Sequence, residues 1–352
     1  MKKYFCVKFI FLLLISASSH FANAQHQDST GSEPASLVKW MTLKEAQEQN
    51  KKTPKPFLID FYTGWCGWCK HMMRTTYSTS DIANYINTWF YPVKFDAETK
   101  DTVYYRDTAY VNKGTGPRAT HDLTLKFLGH NISYPSTVFI TNNFQYTLNS
   151  SGYLEVKTIE PILIYIVENI FKTAQYEDFK KNFQKAFYDS SAVENKVLKW
   201  HTFNEALALS KTTPKKLLAF VHTDWCNGCR VMYKTTFADT AISNYVNKNF
   251  YLIDFNAEST DTILYSGNTF NNNHANGLPF HQLAVALSGN SLSFPTTVFI
   301  DENYKTLDAI PHYLAPETVE TIAHFYGEEA YKNSKWEDFI KKFQEERKKA
   351  VK

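Results

Sequence analysis

The chain repeats itself at a fixed offset of 160 residues, without a gap. Trp40 returns as Trp200, and Thr42 and Glu45 return as Thr202 and Glu205. Thr53-Pro54-Lys55 returns as Thr213-Pro214-Lys215, and Cys66 and Cys69 as Cys226 and Cys229. Ala97-Glu98, His121, Leu123 and Pro135-x-Thr137-Val138-Phe139-Ile140 recur as Ala257-Glu258, His281, Leu283 and Pro295-x-Thr297-Val298-Phe299-Ile300. Glu177-Asp178-Phe179 recurs as Glu337-Asp338-Phe339. Two long copies of one unit are expected, each large enough to close its own core, which excludes a solenoid of short repeats. The expected division is a leader at 1–24, a linker at 25–36, and domains at 37–190 and 191–352.

Within the first copy, Thr42 and Glu45 form a capping box, so a helix starts there and runs to about Lys51. Thr53-Pro54-Lys55-Pro56 ends it, and Phe57 to Tyr62 is an apolar strand. A helix is expected from Gly67 toward Arg74 and another from Ser80-Asp81. Tyr91 to Asp96 alternates as a strand. Thr99 to Gly116 reads as irregular, and His121 to Leu128 as a helix closed by Gly129. A strand at Pro135 to Ile140 and a partner around Tyr146–Leu148 form a hairpin over Asn142-Asn143. Helices follow at about Thr158–Phe171 and Tyr176–Phe187. This order predicts an α/β fold: two domains, each a central mixed sheet flanked by helices on both faces.

Trp65-Cys66-Gly67-Trp68-Cys69-Lys70 stands at the exit of the Phe57–Tyr62 strand. Trp225-Cys226-Asn227-Gly228-Cys229-Arg230 stands in the same place in the second copy. A Cys-x-x-Cys pair entering a helix puts its first sulfur at the positive end of the helix dipole, which favours a thiolate. The second sulfur is one turn further in, within reach of a small disulfide ring. Both stretches resemble the thioredoxin superfamily, with its Trp-Cys-x-x-Cys-Lys/Arg motif. The closest likeness is to exported thioredoxin-like proteins with Cys-x-x-Cys-Lys-x-Met followed by Thr-Phe/Tyr-Ser. It covers nearly the whole chain after the leader, twice.

The resemblance implies thiol–disulfide oxidoreductase activity, with Cys66 as nucleophile and Cys69 as resolving thiol. It implies that Asp60 is the buried acid that takes the Cys69 proton through a water. It also implies that Pro135 and Pro295 are cis and, with Tyr134 and Phe294 before them, present backbone groups to an extended substrate. Trp65, Trp68 and Trp225 are expected substrate contacts. The second copy departs from the pattern: Phe220 replaces Asp60, the central dipeptide is Asn227-Gly228, and Asp224 replaces Gly64. A carboxylate near Cys226 would raise its thiol pKa, so the second site is expected to be a slower partner or a relay.

Other readings of the cysteines are weaker. A zinc site needs two pairs that sit in separate domains to converge. A c-type haem needs His after Cys-x-x-Cys, where Lys70 and Arg230 stand. A purely structural disulfide across two residues restrains little of the unfolded chain. A tandem scaffold that holds peptides with little turnover is the alternative from another class. His121 and His281 read as packed or capping residues, and the basic run Lys341–Lys352 as a solvated helix face.

Lys2, Lys3 and Lys8, the apolar run Phe9 to Ile15 and Ala22-Asn23-Ala24 predict a cleavable export signal, with Cys6 lost. That apolar run is too short to span a bilayer, so no membrane anchor is expected after cleavage. The formal net charge of +3 resides in those three lysines, so acidic and basic residues balance in the rest. A neutral chain gives no reason to expect nucleic acid. The expected location is periplasmic or extracellular, the partners are disulfide-containing exported proteins and an unknown electron donor, and no metal or organic cofactor is implied.

Overall fold

In the computed structural model, residues 36–189, 197–274, 277–289 and 292–350 are described. The expected leader, the linker up to residue 35 and the 190/191 domain boundary lie outside them. In the first half, helix α1 spans Leu43–Lys52, strand β1 Phe57–Tyr62, α2 Gly67–Thr75, α3 Ser80–Trp89 and β2 Tyr91–Asp96. Then come β3 (Val103–Tyr105), β4 (Thr108–Tyr110), α4 (Asp122–Leu128), β5 (Ser136–Ile140), β6 (Thr147–Ser151), α5 (Val156–Val167) and α6 (Tyr176–Phe187). The second half holds β7 (Trp200–His201), α7 (Phe203–Thr212), β8 (Lys216–His222), α8 (Asn227–Lys234), α9 (Thr240–Asn249) and β9 (Phe250–Asn256). It continues with β10 (Ile263–Tyr265), β11 (Asn268–Phe270), α10 (Gln282–Leu287), β12 (Thr296–Ile300), β13 (Thr306–Pro311), α11 (Pro316–Gly327) and α12 (Trp336–Ala350).

Each half is built on a mixed sheet, β2-β1-β5-β6 in the first and β13-β12-β8-β9-β7 in the second. β1 runs parallel to β2 and antiparallel to β5, and β8 relates to β9 and β12 in the same way. The central strands carry apolar side chains on both faces because helices cover both, so β8 is buried along its full length. The capping box of α1 is formed: Glu45 N–H donates to Thr42 Oγ1 at 3.2 Å, and Thr42 N–H to Glu45 Oε2 at 2.8 Å. α7 repeats it with Thr202 and Glu205.

Three elements differ from the sequence expectation. The Thr99–Gly116 stretch contains the β3–β4 hairpin, which turns on Arg106 and Asp107, both at positive φ. Neither residue announces such a turn, whereas Ser266-Gly267 at the same place in the second half does. β6 starts at Thr147, not Tyr146, and runs on to Ser151. The helix expected to Phe171 stops at Val167, because Asn169 takes a left-handed conformation with φ 55° and a 3-10 turn follows at Ile170–Lys172.

Each half keeps an apolar cluster of its own on one face of its sheet, around Ile59 and Val138 in the first and Ala219 and Val298 in the second, and shares a further one. The shared cluster contains Leu58, Met72, Ile164, Phe179 and Phe183 together with Phe220, Cys226, Cys229, Met232 and Tyr313. α6 of the first half packs against α8 of the second. The Phe179 and Tyr313 rings meet edge to face at 5.2 Å, and Lys234 Nζ donates to Ala186 O at 3.1 Å. Thr173 Oγ1 donates to Tyr313 O. Among the described residues, no helix is long and apolar enough to cross a membrane.

Candidate active sites

Both cysteine pairs are closed as disulfides, Cys66–Cys69 and Cys226–Cys229. The buried strand delivers the first cysteine to the start of the next helix, so Cys66 and Cys226 are the N-caps of α2 and α8. Cys69 N–H donates to Cys66 Sγ at 3.0 Å, and Cys229 N–H to Cys226 Sγ at 3.1 Å. These contacts aim otherwise free helix-end donors at the first sulfur, the arrangement that favours its thiolate. The matched methionines also serve a common purpose: Met72 Sδ accepts from Leu154 N–H at 3.3 Å, and Met232 Sδ from Leu314 N–H at 3.4 Å.

The expected prolines are in place, and the Tyr134–Pro135 and Phe294–Pro295 peptide bonds are cis. Trp65 and Tyr134 meet edge to face at 6.1 Å, and Trp225 and Phe294 at 5.6 Å. Trp65 Nε1 donates to Glu98 at 3.0 Å and Trp225 Nε1 to Glu258 at 3.2 Å, which fixes each indole while leaving over half of it exposed. Arg118 lies 4.9 Å over the Trp65 ring, a contact the sequence did not suggest.

Beyond this shared frame the two sites diverge. At the first, Trp68 is 62% exposed and packs against His71 and Tyr153, with ring centroids at 5.5 and 5.7 Å. The three rings make an open aromatic platform one turn from Cys66. The same positions in the second half are Gly228, Val231 and Tyr313, all buried under the first half.

The acids differ as well. Asp60 is fully buried on β1, in register with Lys94 of β2 and Thr137 of β5. Tyr77 OH donates to its Oδ1 at 3.4 Å, and Oδ2 has no hydrogen-bond partner among the described residues. Burial raises the Asp60 pKa to about 7, against the smaller lowering effects of Lys94, Tyr77 and Thr137. In the second half Phe220 takes that place, and a carboxylate appears one strand over as Asp254. Asp254 Oδ1 is 2.6 Å from His222 Nε2 and accepts from Tyr233 OH. Burial pushes its pKa up, but these two partners outweigh burial and leave it lowered.

The carboxylate at the second pair is not Asp224. Asp224 is exposed and accepts from Asn256 Nδ2 at 3.3 Å. It is Glu168 of the first half, the C-cap of α5, which the sequence reading missed. Its Oε1 accepts from Asn227 N–H at 2.9 Å, its Oε2 accepts from Gly228 N–H at 2.7 Å, and Oε2 lies 3.9 Å from Cys226 Sγ. Burial raises its pKa to about 7, with the two N–H bonds acting the other way. The repeat matches Glu168 to Glu328, but Glu328 is half exposed and pairs with His324 at 2.7 Å. Nothing in a one-dimensional alignment shows that the two glutamates face different surroundings.

His121 and His281 are caps: each Nδ1 accepts from the N–H two residues on, at 3.1 Å, and each Nε2 faces a backbone carbonyl. Trp336, Phe339 and Phe343 of α12 pack as a ring series against α11.

Residues 14–186 match the family model Thioredox_DsbH, described as "Protein of unknown function, DUF255". Residues 203–327 match the model Thioredoxin_2, described as "Thioredoxin-like domain". No curated protein matches the chain. Among solved structures, one described as "DsbH Oxidoreductase" is 17% identical over 40% of this chain and 92% of its own, with a TM-score of 0.27. A thioredoxin-fold protein from Helicobacter pylori is 19% identical over 49% and 99%, with a TM-score of 0.31. A putative disulphide-isomerase from Bacteroides thetaiotaomicron is 19% identical over 36% and 89%, with a TM-score of 0.26. With a thioredoxin-like model matched in each half and a Cys-x-x-Cys pair at the head of each redox helix, the chain is a tandem thioredoxin-like thiol–disulfide oxidoreductase.

Proposed function

We propose that the first pair reduces or isomerises disulfides in other exported proteins, and that the second pair is a slower partner to it. The observation that carries this reading is the open face of the first site. There Cys66 lies beside the exposed Trp65 and Trp68 and the Tyr134–Pro135 segment, with a buried acid behind it. An extended peptide can lie along such a face and pair with backbone beside Pro135.

In reduction, the Cys66 thiolate attacks one sulfur of the substrate disulfide. The substrate S–S bond breaks, and its other sulfur leaves as a thiolate that takes up a proton. Cys69 then gives its proton to Asp60 through a water and attacks Cys66 Sγ. The remaining substrate sulfur leaves, so the substrate gains two electrons and Cys66–Cys69 is oxidised. A separate dithiol donor restores the pair. Asp60 suits this work because burial keeps its pKa near neutrality, where it can accept and release a proton. Export is supported by the basic, apolar and Ala-x-Ala segments before Gln25. An N-terminus at Gln25 on protein recovered outside the cytoplasm would support it, and an intact Met1 would count against it.

The deciding experiment equilibrates each pair with glutathione while the other pair is Ser. A first-pair potential near or below about −230 mV fits a reductase with a dedicated donor. A value nearer about −120 mV would make it an oxidant of newly exported chains instead. If the first pair does not exchange at all, the peptide-holding scaffold takes the place of this reading.

A further inference from the structure

We propose that Glu168 restrains the second cysteine pair, by occupying the two helix-end N–H groups that would otherwise stabilise a Cys226 thiolate and by setting a negative charge against its sulfur. The proposal rests on the reading that the second pair undergoes thiol–disulfide exchange.

The geometry is built for one occupant. Asn227 N–H and Gly228 N–H both point at the carboxylate, at 2.9 and 2.7 Å, and Oε2 is 3.9 Å from Cys226 Sγ. A Cβ at position 228 would stand 2.8 Å from Glu168 Oε2 and 3.7 Å from both Ile170 Cδ1 and Pro295 Cδ. A side chain at position 228 would have to displace the Glu168 carboxylate from its two N–H donors. At the matching position the first half has Trp68, which is turned to solvent, and the matched Glu328 pairs with His324 instead. The left-handed turn at Asn169 directs the chain from α5 into the Ile170–Lys172 turn, and Thr173 fastens it to Tyr313 O. The Glu168–Ile170 segment therefore lies beside Pro295, where the corresponding face of the first half is open.

The chemistry follows from position. The helix N-terminus lowers the pKa of an N-cap thiol through its free N–H groups, and a carboxylate that binds them removes that help. A charge of like sign 3.9 Å away opposes ionisation further. The other charged and titratable groups around Glu168 are Arg230 of α8, Tyr85 of α3, Glu160 and Lys172 flanking its own segment, and His312 after β13. Arg230 is the cation that acts on it, but its guanidinium donates to Asp224 O at 2.7 Å and does not neutralise the cap directly.

The test uses the full chain, reduced with a phosphine, and follows iodoacetamide labelling of each cysteine by peptide mass from pH 5 to 10. In the otherwise unaltered chain, Cys226 should ionise at least about one pH unit above Cys66. In Glu168→Gln, with Cys6, Cys66 and Cys69 changed to Ser, the Cys226 midpoint should fall by about one unit, and labelling at pH 7.5 should rise about tenfold. Glu168→Asp, which keeps the charge, should stay nearer the parent. An unmoved midpoint in Glu168→Gln overturns the proposal, even if labelling speeds up evenly at every pH, because exposure alone would do that. If Glu168→Gln does not fold, the comparison of Cys226 with Cys66 still decides, and an equal or lower Cys226 midpoint overturns the proposal. Glutathione exchange on the triple-Ser chain tests the underlying reading separately: a second pair that never exchanges removes that reading, while the midpoints still report on Glu168.

Discussion

The two redox helices start from the same local chemistry and end in opposite surroundings. Each begins at a cysteine N-cap whose sulfur accepts from the second cysteine's N–H, at 3.0 Å in one and 3.1 Å in the other. Each has an exposed tryptophan held by a glutamate and a proline after an aromatic residue. Yet the turn that follows Cys66 carries Trp68 into solvent, and the turn that follows Cys226 carries Gly228 under a glutamate of the other half. Reactivity of a Cys-x-x-Cys pair is therefore not a property of the motif alone. It depends on which groups reach the helix end, and in a duplicated chain one copy can supply those groups to the other.

The comparison is broken most directly at the nucleophiles. Cys66→Ser should lower turnover of insulin disulfides by about a thousandfold or more, and Cys226→Ser by less than about threefold. Similar losses from both would mean the second site is as open as the first. Asp60→Asn should come next, with turnover down about a hundredfold, as expected for a lost proton acceptor. The same variant tests the burial of Asp60 through stability. Its carboxyl is raised from 3.8 to about 7, so the folded state binds more protons than the unfolded state between those values. Wild-type stability should thus fall as pH rises from about 4 to 7. Asp60→Asn should gain up to about 4 kcal/mol above pH 7, at roughly 1.4 per pKa unit, and nothing below pH 4. Urea melts at pH 3.5 and 8 would show this, and an equal difference at both would refute it.

Exchanging the dipeptide residues sharpens the contrast at lower cost. Gly228→Trp forces a side chain into the Glu168 contact and should destabilise by about 3 kcal/mol in the same melts. Trp68→Ala touches an exposed ring and should stay within about 0.5 kcal/mol. Its effect belongs to substrate: KM for an unfolded disulfide peptide should rise about threefold with kcat unchanged, because uniform binding is lost. If Gly228→Trp is neutral, the second face is not held shut.

Much of the fold was legible because it is carried by local patterns. Capping boxes at Thr42 and Thr202, the apolar strand before each motif, the redox helices and the Pro-led β5 and β12 all follow from short-range signals. The β3–β4 hairpin was missed because Arg106-Asp107 makes a turn that usually calls for glycine or asparagine, and its second copy with Ser266-Gly267 was the available clue. Of the candidate site, the cysteines, Asp60, Trp65, Tyr134, Trp225 and Phe294 could be named from the chain, but not the ring pairs Trp65–Tyr134 and Trp225–Phe294 that they form. Tyr77, Arg118 and Tyr153 could not, since each joins the site through a contact distant in sequence; His71 was within reach of the sequence, three residues after Trp68 on the same helix, but was not singled out. An adverse carboxylate at Cys226 was anticipated, but it was assigned to Asp224, the neighbour in sequence, when the neighbour in space is Glu168.

By itself the sequence determined that the unit occurs twice, that each copy has a strand–Cys-x-x-Cys–helix core, and that the acid of the first copy is missing from the second. Those facts rest on spacing and residue type, which are one-dimensional. Only the tertiary structure decided that the first pair meets solvent beside an aromatic platform while the second lies under α6 and Glu168. The physical reason is that one apolar cluster runs through both halves, in addition to the cluster each keeps to itself. Burying Phe179, Phe183 and Tyr313 together brings the end of α5 onto α8, and no pattern within either copy records that meeting.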